Sequence, residues 1–284
     1  MAKYNLLPVY LITNNIISKD DMVMPTLPNN DDILLAHTQD YFDSVINGTI
    51  PSGILRRIGF PYSNELIERE LLIMQGSIMA AEIALSEGVA FNIAGGTHHA
   101  FSNKGEGFCI FNDMAIAALY LLYKNLAKKV LILDLDVHQG NGTAEICSKN
   151  KDIFTFSMHG KDNYPLEKEN STLDIELPNG IGDIEYLDLL SQGLEAIEKS
   201  QFQADIILYQ SGVDILSTDK FGKLNVSLAA CKKRDEMVYE FAKKKGTPIA
   251  ATMGGGYSPN IEDIIKAHSN TFLAARGNKI EILK

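Results

Sequence analysis

Val130-Leu131-Ile132-Leu133-Asp134-Leu135-Asp136-Val137-His138 decides the fold reading, because four apolar residues run without a break into an Asp-x-Asp-x-His ending. A short unbroken apolar run bounded by polar residues is the pattern of a strand covered on both faces, as in a parallel sheet. Residues two apart on a strand share a face, so Asp134, Asp136 and His138 are expected to point one way. Carboxylate with neutral imidazole is a donor set suited to zinc. Charged residues also follow strands in plain surface turns, so the stretch needs support from elsewhere in the chain.

Four more apolar runs supply it. Strands are expected at 89–94, 130–136, 153–157, 205–210 and 248–252, separated by helix-like stretches at 65–87, 113–126, 186–199, 228–245 and 261–275. This alternation predicts an α/β fold with a mostly parallel central sheet and helices on both faces. The residues after each strand carry chemistry: Gly95-Gly96-Thr97-His98-His99, then Asp134-x-Asp136-x-His138, Ser157-Met158-His159, Ser211-Gly212-Val213-Asp214 and Gly254-Gly255-Gly256-Tyr257. Carboxyl ends of parallel strands line one crevice, where ligands bind.

Two adjacent histidines after a Gly-Gly turn suit proton transfer near neutral pH, since glycine allows a close backbone approach and imidazole titrates there. His37 and His268 lack such a context and default to structural roles, while His159 stays open. A catalytic zinc site takes three protein ligands and leaves one position free. Asp136, His138 and Asp214 complete such a set, and the Tyr257 hydroxyl can donate to a developing oxyanion.

Composition narrows the function classes. The 284 residues suffice for one large α/β domain, 1–284, and no linker, repeat or low-complexity block divides them. A net charge of -10 and a pI of 5.1 argue against direct nucleic-acid binding. Lys243-Lys244-Lys245 reads as the cationic end of a helix before Gly246. Three cysteines, Cys109, Cys147 and Cys231, show no paired spacing, and neither a signal pattern nor an 18-residue apolar span is present. A cytoplasmic location is therefore expected, with no membrane span.

On these motifs the chain resembles the histone deacetylase family, within the superfamily that includes acetylpolyamine amidohydrolases and shares the arginase-like, three-layer α/β fold. The resemblance rests on Gly95-Gly96-Thr97-His98-His99-Ala100, Gly105-Glu106-Gly107-Phe108-Cys109 with Asn112-Asp113, Asp134 through Gly142, Ser211-Gly212-Val213-Asp214 and Gly254-Gly255-Gly256-Tyr257. Arg56 through Pro61 and Ser157 through Pro165 look most like the small class IV type and its bacterial relatives. Family members usually begin with a further strand and a His/Arg-containing segment before the stretch matched by Met1 to Tyr10, and both are expected to be missing here.

The resemblance implies a zinc-dependent amidohydrolase that removes acetyl or longer acyl groups from lysine side chains. Zinc would sit on Asp136, His138 and Asp214, with ferrous iron as another metal for this donor set. His99 would be the base, His98 its partner held by Asp134, and Tyr257 the oxyanion donor. Gly107, Phe108 and Tyr164 would line the substrate tunnel. A structural potassium ion would use Asp134, Asp136, His138, Ser157 and Met158. Asn141 stands where some members have aspartate, and a neutral partner favours a neutral base at His99. An acetylpolyamine or other small-molecule deacetylase is the alternative enzyme, and an inactive binding module the alternative of another class.

Overall fold

The apolar runs become strands that feed two cores at once. Residues 2–277 are described by a computed structural model; Met1 and residues 278–284 of the expected domain lie outside the described residues. In chain order the elements are α1 (Lys3–Thr13), α2 (Asn30–Leu34), α3 (Gln39–Ile46), α4 (Ser52–Ile58), α5 (Asn64–Glu87), β1 (Val89–Asn92), α6 (Asp113–Tyr123), β2 (Val130–Asp134) and α7 (Asn141–Cys147). There follow β3 (Ile153–Gly160), β4 (Leu173–Leu177), α8 (Asp183–Lys199), β5 (Ile206–Gln210), α9 (Leu228–Lys245), β6 (Ile249–Thr252) and α10 (Ile261–Gly277).

The strands form one six-stranded sheet in the order β1-β6-β5-β2-β3-β4, parallel at every pairing. Because successive strand residues face opposite ways, Leu131 and Leu133 of β2 enter one core, and Val130 and Ile132 enter the other. Strand β5 divides likewise, with Ile207 and Tyr209 on one side and Ile206 and Leu208 on the other. Helices α1, α8, α9 and α10 cover the first core, and α3, α5 and α6 the second. This is the three-layer α/β arrangement with helices on both faces.

Helix ends follow local chemistry. Ser63 caps α5 by accepting from the Leu66 N–H at 3.1 Å, and Ser227 caps α9 through Ala230 at 3.1 Å. Helix α9 ends at Gly246 with φ 63°, after Lys243, Lys244 and Lys245 in its last turn. The lysine run is thus a helix end.

The strand order turns around between β2 and β5: β3 and β4 lie to one side, β6 and β1 to the other. At such a reversal the loops leaving the two central strands diverge and open a crevice. Asp134 pairs in register with Gln210 of β5 and with Ser157 of β3, so the three strands reach the crevice nearly level.

Four differences from the sequence reading stand out. Strand β2 stops at Asp134 rather than Asp136, so Asp136 and His138 lie on the following loop. Strand β3 continues to Gly160, and β4 was not expected because Leu173–Leu177 alternates with acidic residues at a half-exposed edge. The opening stretch forms α1, which buries Leu7 and Leu11 and packs on α10.

Candidate active site

The Gly95-Gly96 turn after β1 is shaped by one carboxylate. Asp113, the first residue of α6, accepts hydrogen bonds from Gly96 N (3.0 Å), Thr97 N (2.7 Å), Thr97 Oγ1 (2.9 Å) and Ser77 Oγ (2.6 Å). Gly95 and Gly96 have φ of 85° and 78°, and a Cβ on either would overlap Asp113 or Gln210. The turn delivers His98 and His99 into the crevice, both buried.

The two histidines meet different partners. His98 Nδ1 lies 2.7 Å from Asp134 Oδ2, and His99 Nδ1 lies 2.7 Å from Asn141 Oδ1. Burial disfavours the charged form of His98, but Asp134 and Asp136 outweigh it and push the imidazole up to about 9. Burial, with His98 and His138 alongside, holds His99 well below its ordinary range. Neighbouring titratable groups pushed apart in this way are suited to separate acid–base roles.

Asp136, His138 and Asp214 converge at the β2–β5 reversal, with one potential ligand atom from each lying within 4.8 Å of the others. His138 Nδ1 is 3.0 Å from Asp136 Oδ1 and 3.2 Å from Asp214 Oδ2. Asp214 Oδ2 is buried with no well-aligned hydrogen bond beyond that ion-pair contact to His138. Burial and the Asp136 carboxylate push the Asp214 carboxyl up, a crowding that a cation would relieve. The space is kept by glycine: a Cβ on Gly255 would lie 2.6 Å from Asp136 Oδ2, and one on Gly212 would also overlap Asp136. Two carboxylates and an imidazole around such a pocket fit zinc. The structure therefore divides the Asp-x-Asp-x-His stretch: Asp136 and His138 group with Asp214, while Asp134 turns to His98 and to the Asp136 N–H at 3.1 Å.

A cavity of about 340 Å³ connects these groups to the surface. Its mouth is aromatic. Phe108 packs against Phe60 (ring centroids 5.2 Å apart) and faces Tyr257 (6.3 Å), which meets Phe221 (5.1 Å), while Tyr164 stands edge-on to His99 (4.9 Å). Gly107, at φ 57°, lets the wall approach His99, since a Cβ there would lie 2.6 Å from its ring. Burial, reinforced by Asp214 and Asp136, keeps the Tyr257 phenol far above its ordinary pKa, leaving it a hydrogen-bond donor. Ser157 and Met158 lie beside Asp134 on β3, both buried. His159 is buried next to them and bonds Ser157 Oγ at 2.9 Å, away from the residues lining the cavity.

Several residues that shape the cavity were not singled out from the sequence. Lys3, on α1, is buried in the cavity lining and donates to the carbonyls of Gly254 (3.0 Å) and Gly255. Burial lowers its ammonium pKa to about 8. Beside it, burial raises Glu70 to about 7, and Arg69 bonds it at 2.8 Å. Phe60, Phe221, Asp113, Asp219 and Glu106 are further cases. Glu106 and Asp113 lie inside quoted motifs, where the neighbouring glycines and the Asn-Asp pair were the available signal; Lys3 offered none.

The arrangement has known counterparts. A family model described as "Histone deacetylase domain" matches residues 2–272. An uncharacterized protein of Picosynechococcus sp. is 41% identical over 276 residues, covering 97% of this chain and 92% of that protein. Histone deacetylase 2 of Arabidopsis thaliana is 28% identical over 274 residues, covering 93% and 70%. The crystal structure of an HDAC homolog from Aquifex aeolicus superposes with a TM-score of 0.81 at 27% identity, covering 98% of this chain and 78% of that one; a homolog complexed with SAHA matches equally well. With its model matched along almost the whole chain and its fold reproduced, the chain belongs to the histone deacetylase family.

Proposed function

We propose that this chain is a zinc-dependent amidohydrolase that removes acetyl groups from lysine side chains. The observation that carries the reading is the placement of two oppositely tuned histidines beside the Asp136–His138–Asp214 cluster, at the base of an aromatic-walled cavity. Zinc held by these three residues would polarise the amide carbonyl and an attacking water; ferrous iron suits the same donors. Neutral His99 accepts the proton of that water at Nε2 and returns it to the departing amine. His98, charged and bound to Asp134, stabilises negative charge beside it. Tyr257 donates its hydroxyl to the carbonyl oxygen as that oxygen becomes anionic. Asp134, Asp136, His138, Ser157 and Met158 are the residues proposed to hold potassium.

Two features favour acetyl-lysine over the other substrates. Arg57, with its side chain 63% exposed, and Lys104 approach Glu106 on the loop that carries Phe108, and positive charge there disfavours a polycationic acetylpolyamine. The cavity is also lined by Lys3, Arg69 and Glu70, charged groups that disfavour a long alkyl chain. Phe108 and Tyr164 give the apolar stem of an acyl-lysine its walls. No helix among the described residues is long and apolar enough to cross a membrane, and the three cysteines are free and buried, which agrees with a cytoplasmic location.

The test is a turnover profile of zinc-loaded protein on acetyl-lysine peptides, long-chain acyl-lysine peptides and acetylpolyamines, with SAHA as competitor. Acetyl-lysine peptides are expected to be preferred. His99→Ala and Tyr257→Phe are each expected to lose roughly 100-fold or more in kcat. Unchanged turnover in both variants would refute the assigned roles, and no turnover of any substrate would favour a binding module.

A further inference from the structure

Glu106 lies on the loop before Phe108, where it touches Tyr164 and the Asn141 amide that partners His99. Its Oε1 accepts from the Tyr164 hydroxyl at 2.8 Å and from Asn141 Nδ2 at 2.8 Å. Its Oε2 faces outward, 3.7 Å from Lys104 Nζ and 4.0 Å from an Arg57 guanidinium nitrogen. The side chain is only 8% exposed. The loop itself is pinned: Gly107 N and Phe108 N donate to the carbonyls of Arg57 and Ile58 at 3.0 and 2.9 Å, and Cys109 N donates to Glu106 O at 2.9 Å. Glu106 is therefore held in place by backbone as well as by its partners.

The chemistry turns on Asn141. A side-chain amide has an acceptor end and a donor end of nearly equal size, so its partners decide which way it faces. An ionised carboxylate only accepts. With Glu106 on one side, Asn141 must turn its NH2 toward Glu106 and its carbonyl toward His99. That carbonyl, 2.7 Å from His99 Nδ1, needs a proton there, which leaves Nε2 bare. A reversed amide would put the proton on Nε2 and remove the base.

We propose that Glu106 is a positioning residue that sets the His99 tautomer through the Asn141 amide and, by the same oxygen, fixes Tyr164 against the site. The inference rests on the proposed role of His99 as base, and it goes beyond that role by adding a carboxylate that never touches substrate. One group thus links the tunnel wall to the proton acceptor. The arrangement also fixes which residue 141 can be: aspartate at that position would set two carboxylates against each other.

The experiment has two arms. Nitrogen-15 NMR of imidazole-labelled, metal-free protein reads the tautomer without turnover, so its outcome is separate from that of the functional reading. Wild-type His99 is expected to carry its proton on Nδ1, with Nε2 bare; the opposite tautomer overturns the proposal. In kinetics on zinc-loaded protein, Glu106→Ala is expected to lower kcat about 10- to 100-fold and to raise KM by releasing Tyr164. Tyr164→Phe is expected to shift KM while leaving the His99 nitrogen signals in place. Asn141→Asp alone is expected to be impaired by repulsion from Glu106. Combined with Glu106→Ala it is expected to recover most of the lost kcat, because a carboxylate presents an acceptor to His99 in either orientation. A double variant no faster than Glu106→Ala, or Glu106→Ala with wild-type kcat and unchanged nitrogen signals, overturns the proposal.

Discussion

The backbone N–H of Tyr257 donates to Oδ2 of Asp219 at 2.6 Å. Asp219 Oδ1 also accepts from Phe221 N (2.8 Å) and Gly222 N (3.0 Å), so one carboxylate ties the tyrosine loop to the segment bearing Phe221. Asp219→Ala frees both sides of the cavity mouth. The expected result is a loss of roughly 10- to 100-fold in kcat, since small misplacements of a reacting group are costly. Zinc affinity is expected to stay within a few-fold of wild type. Parallel measurement of turnover and metal affinity checks this, and an equal loss in both would place the defect in the metal site instead.

Metal binding is expected to stabilise the fold. The buried carboxylates of Asp214 and Asp136 repel each other, with the His138 ring as a shared neighbour. Zinc at about a hundred times its Kd is expected to add about 3 kcal/mol to the chelator-treated protein. In Asp214→Ala most of that gain is expected to vanish. Melting curves with and without zinc measure it, and equal shifts in both proteins would move the metal elsewhere.

Acid is expected to weaken the protein through His37. Its Nε2 accepts from Asn112 N at 2.9 Å and its Nδ1 lies 3.0 Å from Phe101 O, so the neutral ring is satisfied on both sides. Burial lowers its pKa to about 4 from an ordinary 6.5. Between those values the unfolded chain binds more protons than the folded one. Stability is therefore full above pH 6.5 and falls as the pH drops toward 4, by about 3 kcal/mol in all. Denaturant unfolding of wild type and His37→Gln across pH 4–7 tests this: the variant is expected to show a flatter profile, and parallel profiles would assign the acid sensitivity to other groups.

Helix α1 carries two separable contributions. Leu11 is fully buried, and Leu11→Ala is expected to cost about 2–5 kcal/mol of stability. Lys3 reaches the Gly254 and Gly255 carbonyls beneath Tyr257. Lys3→Met keeps the apolar stem but removes those bonds, so it is expected to lower kcat more than it lowers the melting temperature. Comparing melting and turnover for both variants checks the separation; a Lys3→Met protein with full activity would leave Lys3 a purely structural anchor.

What was legible in the sequence was the part that local pattern controls. Strands β2 and β5 are buried on both faces, so they read as unbroken apolar runs, and the fold class followed from their alternation with amphipathic helices. The residues after those strands were legible as a shared rim for the same reason. Strand β4 was not, because its edge position lets acidic residues interrupt the run. Helix α1 contains Pro8 and begins at Lys3, features that speak against a helix until it packs on α10. Asp134, Asp136 and His138 do reach one region, with Asp134 and Asp136 both beside His98, but the strand ends at Asp134, so the loop rather than the pleat aims the last two side chains. Glu106 sits in a legible glycine-flanked motif, but its partners Asn141 and Tyr164, like the partners of Lys3, come from distant segments that no local pattern encodes.

The reversal of strand order between β2 and β5 also bears on how the molecule is made. During synthesis His98, Asp136 and His138 emerge well before Asp214 and Tyr257, and β1 waits for β6 to supply its neighbour in the sheet. Such non-local pairings form slowly, because distant segments must be brought together before their contacts repay the lost freedom. The growing chain therefore presents histidines and aspartates that have no pocket around them, and the crevice closes only when the last third of the polypeptide has docked.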